Sequence, residues 1–287
     1  MKNLYLIALL ISFLNFEVRA NNCVGQVESL LTEASEILVF KKHTFTHIFA
    51  DCNEAKFGAD IVLHEAVHFE DLGVPAGLNE QELMVWYSDP SNINFNLLLI
   101  DGSRLGEMQS QNLPMPRDLI LNFLKKNYPS IYSDPNHSIQ SLVDGYLKDH
   151  STLASFSFVR GLTTELNAYI HGLRAEQRIK RSLGIGGSIY QRYGVLGFMF
   201  FFKAYLSELR TSYPAHWNSI VNSSDKSYIK EIFAEALIVL KFSDHCNTMD
   251  WFERNEFFAL FEDQNYFLAV ENIVGKNSSL LKEILCK

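Results

Sequence analysis

The sequence contains little proline, no low-complexity tract and no run of like charges, and each absence narrows the class of protein. Only seven prolines occur in 287 residues, and no stretch rich in proline, glycine and serine divides the chain. Hydrophobic residues make up 47% and charged residues 20%, which are ordinary values for a globular protein. Disorder is therefore disfavoured, and we predict one mostly helical domain, residues 21–287, after an N-terminal leader.

Long apolar runs are also scarce, and the clearest one is at the N-terminus. Lys2 precedes an apolar run from Leu4 to Leu14, which is followed by Val18-Arg19-Ala20. This order is typical of a secretory signal peptide, residues 1–20. A membrane anchor is the alternative, but a span needs about 20 apolar residues, more than this run contains. We therefore predict an exported protein, periplasmic or secreted, without a stable membrane span after cleavage.

Positive charge is in deficit. The formal net charge is −8, and removal of Lys2, Glu17 and Arg19 with the leader changes it to −9. An acidic chain of this kind is a poor candidate for binding nucleic acid or anionic lipid. We expect no nucleic-acid partner.

Cysteine is limited to four residues, Cys23, Cys52, Cys246 and Cys286, and none of them forms a C-x-x-C pair. A cysteine-only zinc site is therefore disfavoured. An even number of cysteines in an exported protein predicts two disulfides, although four free buried thiols are the alternative. Three pairings are possible, and the simplest joins Cys23 to Cys52 and Cys246 to Cys286.

Helical periodicity dominates the chain after the first third. Helices are predicted at Val24–Glu36, Phe57–Leu72, Pro116–Asn127, Ile139–Lys148, Ala154–Arg181, Tyr190–Thr211, Ser227–Phe242, Trp251–Glu262 and Ser278–Cys286. Strands are predicted at 36–40, 45–50, 82–88 and 94–102, the last two as a hairpin. The aromatic stripe Phe198, Phe200, Phe201, Phe202 and Tyr205 is interpreted as core. The predicted fold class is mainly α with a small β-sheet in the N-terminal third (α+β).

One predicted helix carries an unusual set of ionisable residues. His64-Glu65-Ala66-Val67-His68 has the pattern H-E-x-x-H within an otherwise apolar segment. Residues four apart lie on one helix face, so both imidazoles can bind one metal ion. Glu65 lies about 100° round the helix, where its carboxylate can face a water on the ion. The alternative is a buried helix with locally bonded histidines, but unpartnered burial of such groups is costly. We predict a Zn²⁺ site, with Glu65 as the catalytic base.

This motif on a buried helix resembles the zincin metallopeptidases. The metzincin branch continues with glycine and histidine at the positions that Asp71 and Val74 occupy here, so that branch is excluded. The resemblance is closer to the gluzincin branch, which implies a zincin-like helical metalloprotease domain whose third ligand is a glutamate from a later helix.

The best candidate for that third ligand is Glu165, in Glu165-Leu166-Asn167-Ala168. Gly161, Ala168 and Gly172 share its helix stripe, and small residues let a helix approach another closely. Glu80 and Glu82 are alternative candidates that lie closer to His68 in the sequence. Their segment precedes a predicted strand and has no helical run, whereas the third ligand is expected on a helix. Asp71, one turn beyond His68, is interpreted as a partner for an imidazole N–H rather than as a ligand.

Tyr169 follows Glu165 by one turn on nearly the same side of the helix. It is the candidate donor to the oxyanion that forms when water attacks a carbonyl. The alternative is an ordinary packed tyrosine.

These residues predict an exported zinc-dependent hydrolase, most simply a peptidase that acts on a peptide or protein. Another amide, such as a cell-wall peptide, suits the same site. A different class, a zinc-stabilised scaffold protein of the cell envelope without turnover, is the second hypothesis, and it has no use for a base at Glu65. A metal-free helical protein is the third hypothesis and requires the motif to be accidental.

Overall fold

A computed structural model describes residues 52–75, 78, 80–89, 92, 95–107, 116–133, 140–148, 159–184 and 190–241. Of these residues 83% are helical, and a small two-stranded antiparallel sheet accompanies the helices. The prediction of a mainly α fold with a small sheet is therefore confirmed. No helix in the described ranges is both long enough and apolar enough to cross a membrane.

The first elements along the chain are helix α1 (Cys52–Leu72), helix α2 (Glu80–Ser88), strand β1 (Asn96–Leu98) and strand β2 (Arg104–Glu107). Short and long helices then follow: α3 (Pro116–Asn127), α4 (Pro129–Ser133), and α5 (Gln140–Leu142), which continues as a π-helical segment (Val143–Lys148). The last described helices are α6 (Val159–Leu183), α7 (Tyr190–Ser212), α8 (Pro214–Val221) and α9 (Asp225–Lys241).

The helix predictions agree with the structure where the described residues test them, except that most of the predicted helix Ile139–Lys148 is π-helical. Helix α3 has the predicted ends, and α1, α6, α7 and α9 lie within a few residues of theirs. The short helices α4 and α8, which both begin at a proline, were not predicted. The predictions for Val24–Glu36, 36–40, 45–50, Trp251–Glu262 and Ser278–Cys286 fall outside the described residues, as do the leader and the cysteine pairing.

The predicted strand at 82–88 is wrong, because this segment is helix α2. Its exposed residues Gln81, Glu82, Val85 and Ser88 recur at helical spacing rather than at every second position. The β-branched and aromatic residues in this short run favoured a strand, whereas the neighbouring glutamate, glutamine, leucine and methionine are good helix formers.

The predicted hairpin joined segments 82–88 and 94–102. In the structure the hairpin is instead formed by β1, within 94–102, and the following strand β2. Leu98 pairs with Arg104, and the turn between them is stabilised by Asp101, whose side chain accepts the N–H of Ser103 at 2.8 Å. Gly102 supplies a φ of 84°, which other residues adopt only with strain. An Asp-Gly pair is a strong hairpin signal, so the turn was readable from the sequence.

The chain divides into two compact units. One contains the chain up to Glu107 together with Asn167–Gln191, and the other contains Met108–Leu166 together with the chain from Arg192 onward. The division passes through α6, which is nevertheless one uninterrupted helix.

The second unit has an aromatic core. The aromatic stripe of α7 is fully buried, as predicted: Phe198, Phe200, Phe201, Phe202 and Tyr205. The Phe202 ring meets that of Phe233 from α9 edge to face, with centroids 5.7 Å apart. Such aromatic pairs stabilise a core beyond the area they bury.

Candidate metal centre

Helix α1 is buried on every side but one between Ala59 and Leu72. Only Ile61, Glu65 and Phe69 keep more than a small part of their surface exposed, and they recur every four residues. Glu65 therefore stands in the middle of a single open stripe, between two apolar side chains. The two histidines lie on the adjoining face and are each only 6% exposed. This is the arrangement expected if the imidazoles hold a buried ion and Glu65 faces an approach to it.

The two imidazoles of the motif point at a common position. Nε2 of His64 lies 3.3 Å from Nε2 of His68, and the rings are nearly perpendicular. Two ligands of a tetrahedral Zn²⁺, each about 2.0–2.1 Å from the ion, are separated by about 3.4 Å. The separation of the two nitrogens therefore fits a shared zinc ion.

Glu165 from α6 joins the two histidines. The three residues each offer one ligand atom, and these atoms all lie within 4.8 Å of one another. Glu165 is 4% exposed, so the whole group is buried. A buried His64, His68 and Glu165 group could hold a metal ion, and its donor set of two imidazoles and a carboxylate suits Zn²⁺.

The rival ligands are placed differently. Glu82 is exposed and lines a surface pocket beside Val85 and Trp86. Asp71 is fully buried, but it is not a member of the metal-binding group.

The carboxylate of Asp71 joins three elements. It accepts the backbone N–H of Leu98 in β1 at 3.0 Å and the side-chain amide of Asn167 in α6 at 3.0 and 3.1 Å. Asn167 is two residues from Glu165, and Asp71 is three residues from His68. This contact therefore joins α6, at a residue close to Glu165 in the sequence, to α1 and the hairpin. A bond from Asp71 to an imidazole, as predicted from the sequence, stays a prediction.

Leu98 of β1 and Ile100 in the turn after it have further bonds to α6. The carbonyl of Leu98 lies 3.0 Å from Nδ2 of Asn167 and 2.9 Å from Nε2 of His171, and Arg174 donates to the carbonyl of Ile100 at 2.7 Å. Sequence reasoning assigned no role to Asn167, His171 or Arg174. Their polar side chains on a buried helix were the available signal, but the partner strand could not be inferred from it.

At Gly172, α6 approaches α1 closely, as predicted from the small-residue stripe. A Cβ at this position would lie 3.0 Å from the backbone oxygen of Asp60 and would collide with the side-chain amide of Gln191. Only glycine fits this close approach without a shift of its neighbours.

Tyr169 lies beside the motif. Its ring meets the ring of His64 edge to face, with the centroids 4.4 Å apart. The side chain is therefore close enough to the candidate ligands to act there, and its predicted role as a donor to an oxyanion stays a prediction.

Asp60 is the acid that sequence reasoning overlooked. It lies one turn before His64 and is 3% exposed. Burial raises the pKa of Asp60 to about 6, while a backbone bond at Ile61, a side-chain bond with Gln191 and the nearby His64 act in the opposite direction. Its spacing of four residues from His64 was visible in the sequence, because such pairs share a helix face.

Comparison of the chain with known protein families, with curated proteins and with solved structures returned no match.

Proposed function

We propose that the protein is an exported zinc-dependent hydrolase of gluzincin type that cleaves peptide bonds. The observation that supports this most is the buried group of His64, His68 and Glu165, whose ligand atoms lie within 4.8 Å of one another. Three protein ligands suit a catalytic zinc ion, which keeps one position for water, whereas structural zinc sites use four.

Each residue of the centre then has a part in hydrolysis. Zinc held by the three ligands would supply a Lewis acid that polarises the scissile carbonyl and lowers the pKa of water. Glu65 takes one proton from the attacking water and passes it to the nitrogen of the leaving amine as the C–N bond breaks. The hydroxyl of Tyr169 donates a hydrogen bond to the oxyanion. Water is the nucleophile throughout, so no covalent acyl-enzyme forms.

The exposure pattern of α1 supports the role of Glu65 as the base. Glu65 is half-buried, whereas the proposed ligands on the adjoining face are buried. A base that a substrate can reach, beside a buried metal centre, suits hydrolysis, because electrostatic interactions are stronger where bulk water is excluded. The apolar side chains at Ile61 and Phe69 flank the base on either side. A peptide or protein, or a cell-wall peptide, is the proposed substrate.

A zinc-stabilised scaffold is the second candidate, because all three proposed ligands are buried, and it would need a fourth protein ligand to close the site. The two proposals differ over Glu65, which a scaffold does not need.

The deciding experiment uses Glu65→Gln, which keeps the shape of the side chain and removes its basicity. We expect the purified protein to bind about one zinc per chain, as the unaltered protein does. Hydrolysis of a denatured protein substrate should fall by roughly 10²–10⁴-fold, the usual contribution of a general base. Zinc is measured by elemental analysis and hydrolysis by the release of new amino groups.

Glu82→Gln is the matched control, because Glu82 is an exposed acid of α2 and should change neither quantity. Zinc binding without any chelator-sensitive hydrolysis would favour the scaffold, and a protein that binds no zinc would refute both candidates.

A further inference from the structure

Asp60 lies where the proposed metal centre would need an acid. It precedes His64 by four residues, so the two side chains share one buried face of α1. Asp60 is only 3% exposed, and burying a charged carboxylate costs free energy unless a hydrogen-bond donor or a positive group is paired with it. Such a residue has either a structural partner or a role in the centre.

The described residues provide only part of that partnership. Gln191 and the backbone at Ile61 form hydrogen bonds with Asp60. The second carboxylate oxygen, Oδ2, is buried and has no hydrogen-bond partner within the part of the chain that the structure describes. An electrostatic interaction links Asp60 to His64. One acceptor atom thus remains available near the first ligand of the motif.

The position of Asp60 is set by the helix that carries the third proposed ligand. The amide of Gln191 lies against Gly172 of α6, and the backbone oxygen of Asp60 lies 3.0 Å from the place of a Cβ there. Gly172 lies on the same helix as Glu165, two turns further along the chain.

We propose that Asp60 is a positioning residue of the metal centre, whose carboxylate accepts a hydrogen bond from the ring nitrogen of His64 that does not face His68. This inference rests on the proposed zinc site. Acids that hold the second nitrogen of a zinc-binding histidine fix its tautomer and ring orientation and increase its basicity. Asp71, the acid predicted for this task, already accepts bonds from Leu98 and Asn167. Asp60 leaves an oxygen for the imidazole.

The test is Asp60→Asn, with Glu70→Gln as the control. Glu70 is another buried acid of α1, but it pairs with Arg104 of the hairpin rather than with Gln191. Zinc affinity is measured by competition with a chromophoric chelator. We expect Asp60→Asn to bind one zinc with an affinity reduced about 10–100-fold, the usual effect of losing such a partner. Glu70→Gln should bind zinc within about twofold of the unaltered protein, since it loses no partner of a ligand.

A second measurement begins with the unaltered protein, so its first result does not depend on how a variant folds. In the zinc-loaded, ¹⁵N-labelled unaltered protein, the His64 ring should carry its proton on Nδ1 and show the downfield proton signal of a bond to a carboxylate. Asp60→Asn should move that signal upfield, while Glu70→Gln should not.

Two results would overturn the proposal: a His64 ring without that bonded proton, or Asp60→Asn with unchanged zinc affinity. If the unaltered protein itself binds no zinc, the proposed function has failed, and this outcome is distinct from the failure of Asp60 alone.

Discussion

Helices α1 and α7 are both buried along most of their length, but they differ in the kinds of side chain that they bury. Helix α7 buries five aromatic side chains between Phe198 and Tyr205, with Lys203 among them. Helix α1 buries a set of acids and histidines among its apolar residues: Asp60, His64, His68, Glu70 and Asp71. The burial of apolar area on α7 stabilises the fold directly. Each buried polar group on α1 requires a hydrogen-bonding or charged partner, because burial without one lowers the stability of the fold. The comparison suggests that α7 contributes stability and that α1 contributes a site.

The largest expected effect of this difference concerns metal binding. His64→Ala and His68→Ala should each abolish zinc retention, because each removes one of three ligands. Glu165→Ala should weaken binding strongly while α6 stays helical, since alanine is the best helix former. Zinc content after gel filtration and helicity by circular dichroism are the measurements. Full zinc occupancy in the double histidine variant would remove these residues from the centre.

The second effect concerns stability on α7. Phe198→Ala should lower the free energy of unfolding by about 3–5 kcal/mol, because it opens a cavity among buried aromatic rings. The protein that remains folded should still bind about one zinc per chain. Urea denaturation gives the free energy, and elemental analysis gives the zinc. If folded Phe198→Ala lost zinc as completely as His68→Ala does, the proposed separation of roles would be wrong.

The smallest effect concerns the close approach at Gly172. Gly172→Ala adds a Cβ that meets the Gln191 amide and the backbone of Asp60. Overpacking of this kind costs about 1–3 kcal/mol, and the better helix propensity of alanine offsets up to about 1 kcal/mol. We expect a net loss of about 1 kcal/mol in the free energy of unfolding, measured by denaturation. Gly145→Ala is the control, because among the described residues no atom beyond its chain neighbours and its own helix backbone lies within 4 Å of the added Cβ.

The parts of the fold that the sequence predicted are those with a long, regular signal. The long amphipathic helices were placed closely, and α3 matched at both ends. The short segment at 82–88 was misassigned, since a short apolar run does not distinguish a strand from a helix. The hairpin partner was missed for a related reason, because Arg104–Glu107 is short and has little alternation.

The candidate site divides in the same way. Helix geometry alone predicts that His64 and His68 share one face and that Glu65 lies beside it. The small residues near Glu165 predicted a close contact between helices. The bonds of Asn167 and His171 to Leu98 could not be predicted, because they depend on where a distant strand lies. Asp60 could have been found from its spacing, but it lies outside the H-E-x-x-H pattern.

The bond between Asp71 and Asn167 also sets the order in which the centre can be assembled. The two residues are 96 positions apart in the chain, whereas His64 and His68 come together as soon as one helix forms. The entropic cost of closing such a loop has to be met before Glu165 reaches the histidines. During folding, an ion would first meet an incomplete pair of ligands and bind it weakly. Tight binding of the proposed ion would then report that the chain has closed this long loop, so the ion would mark a completed fold.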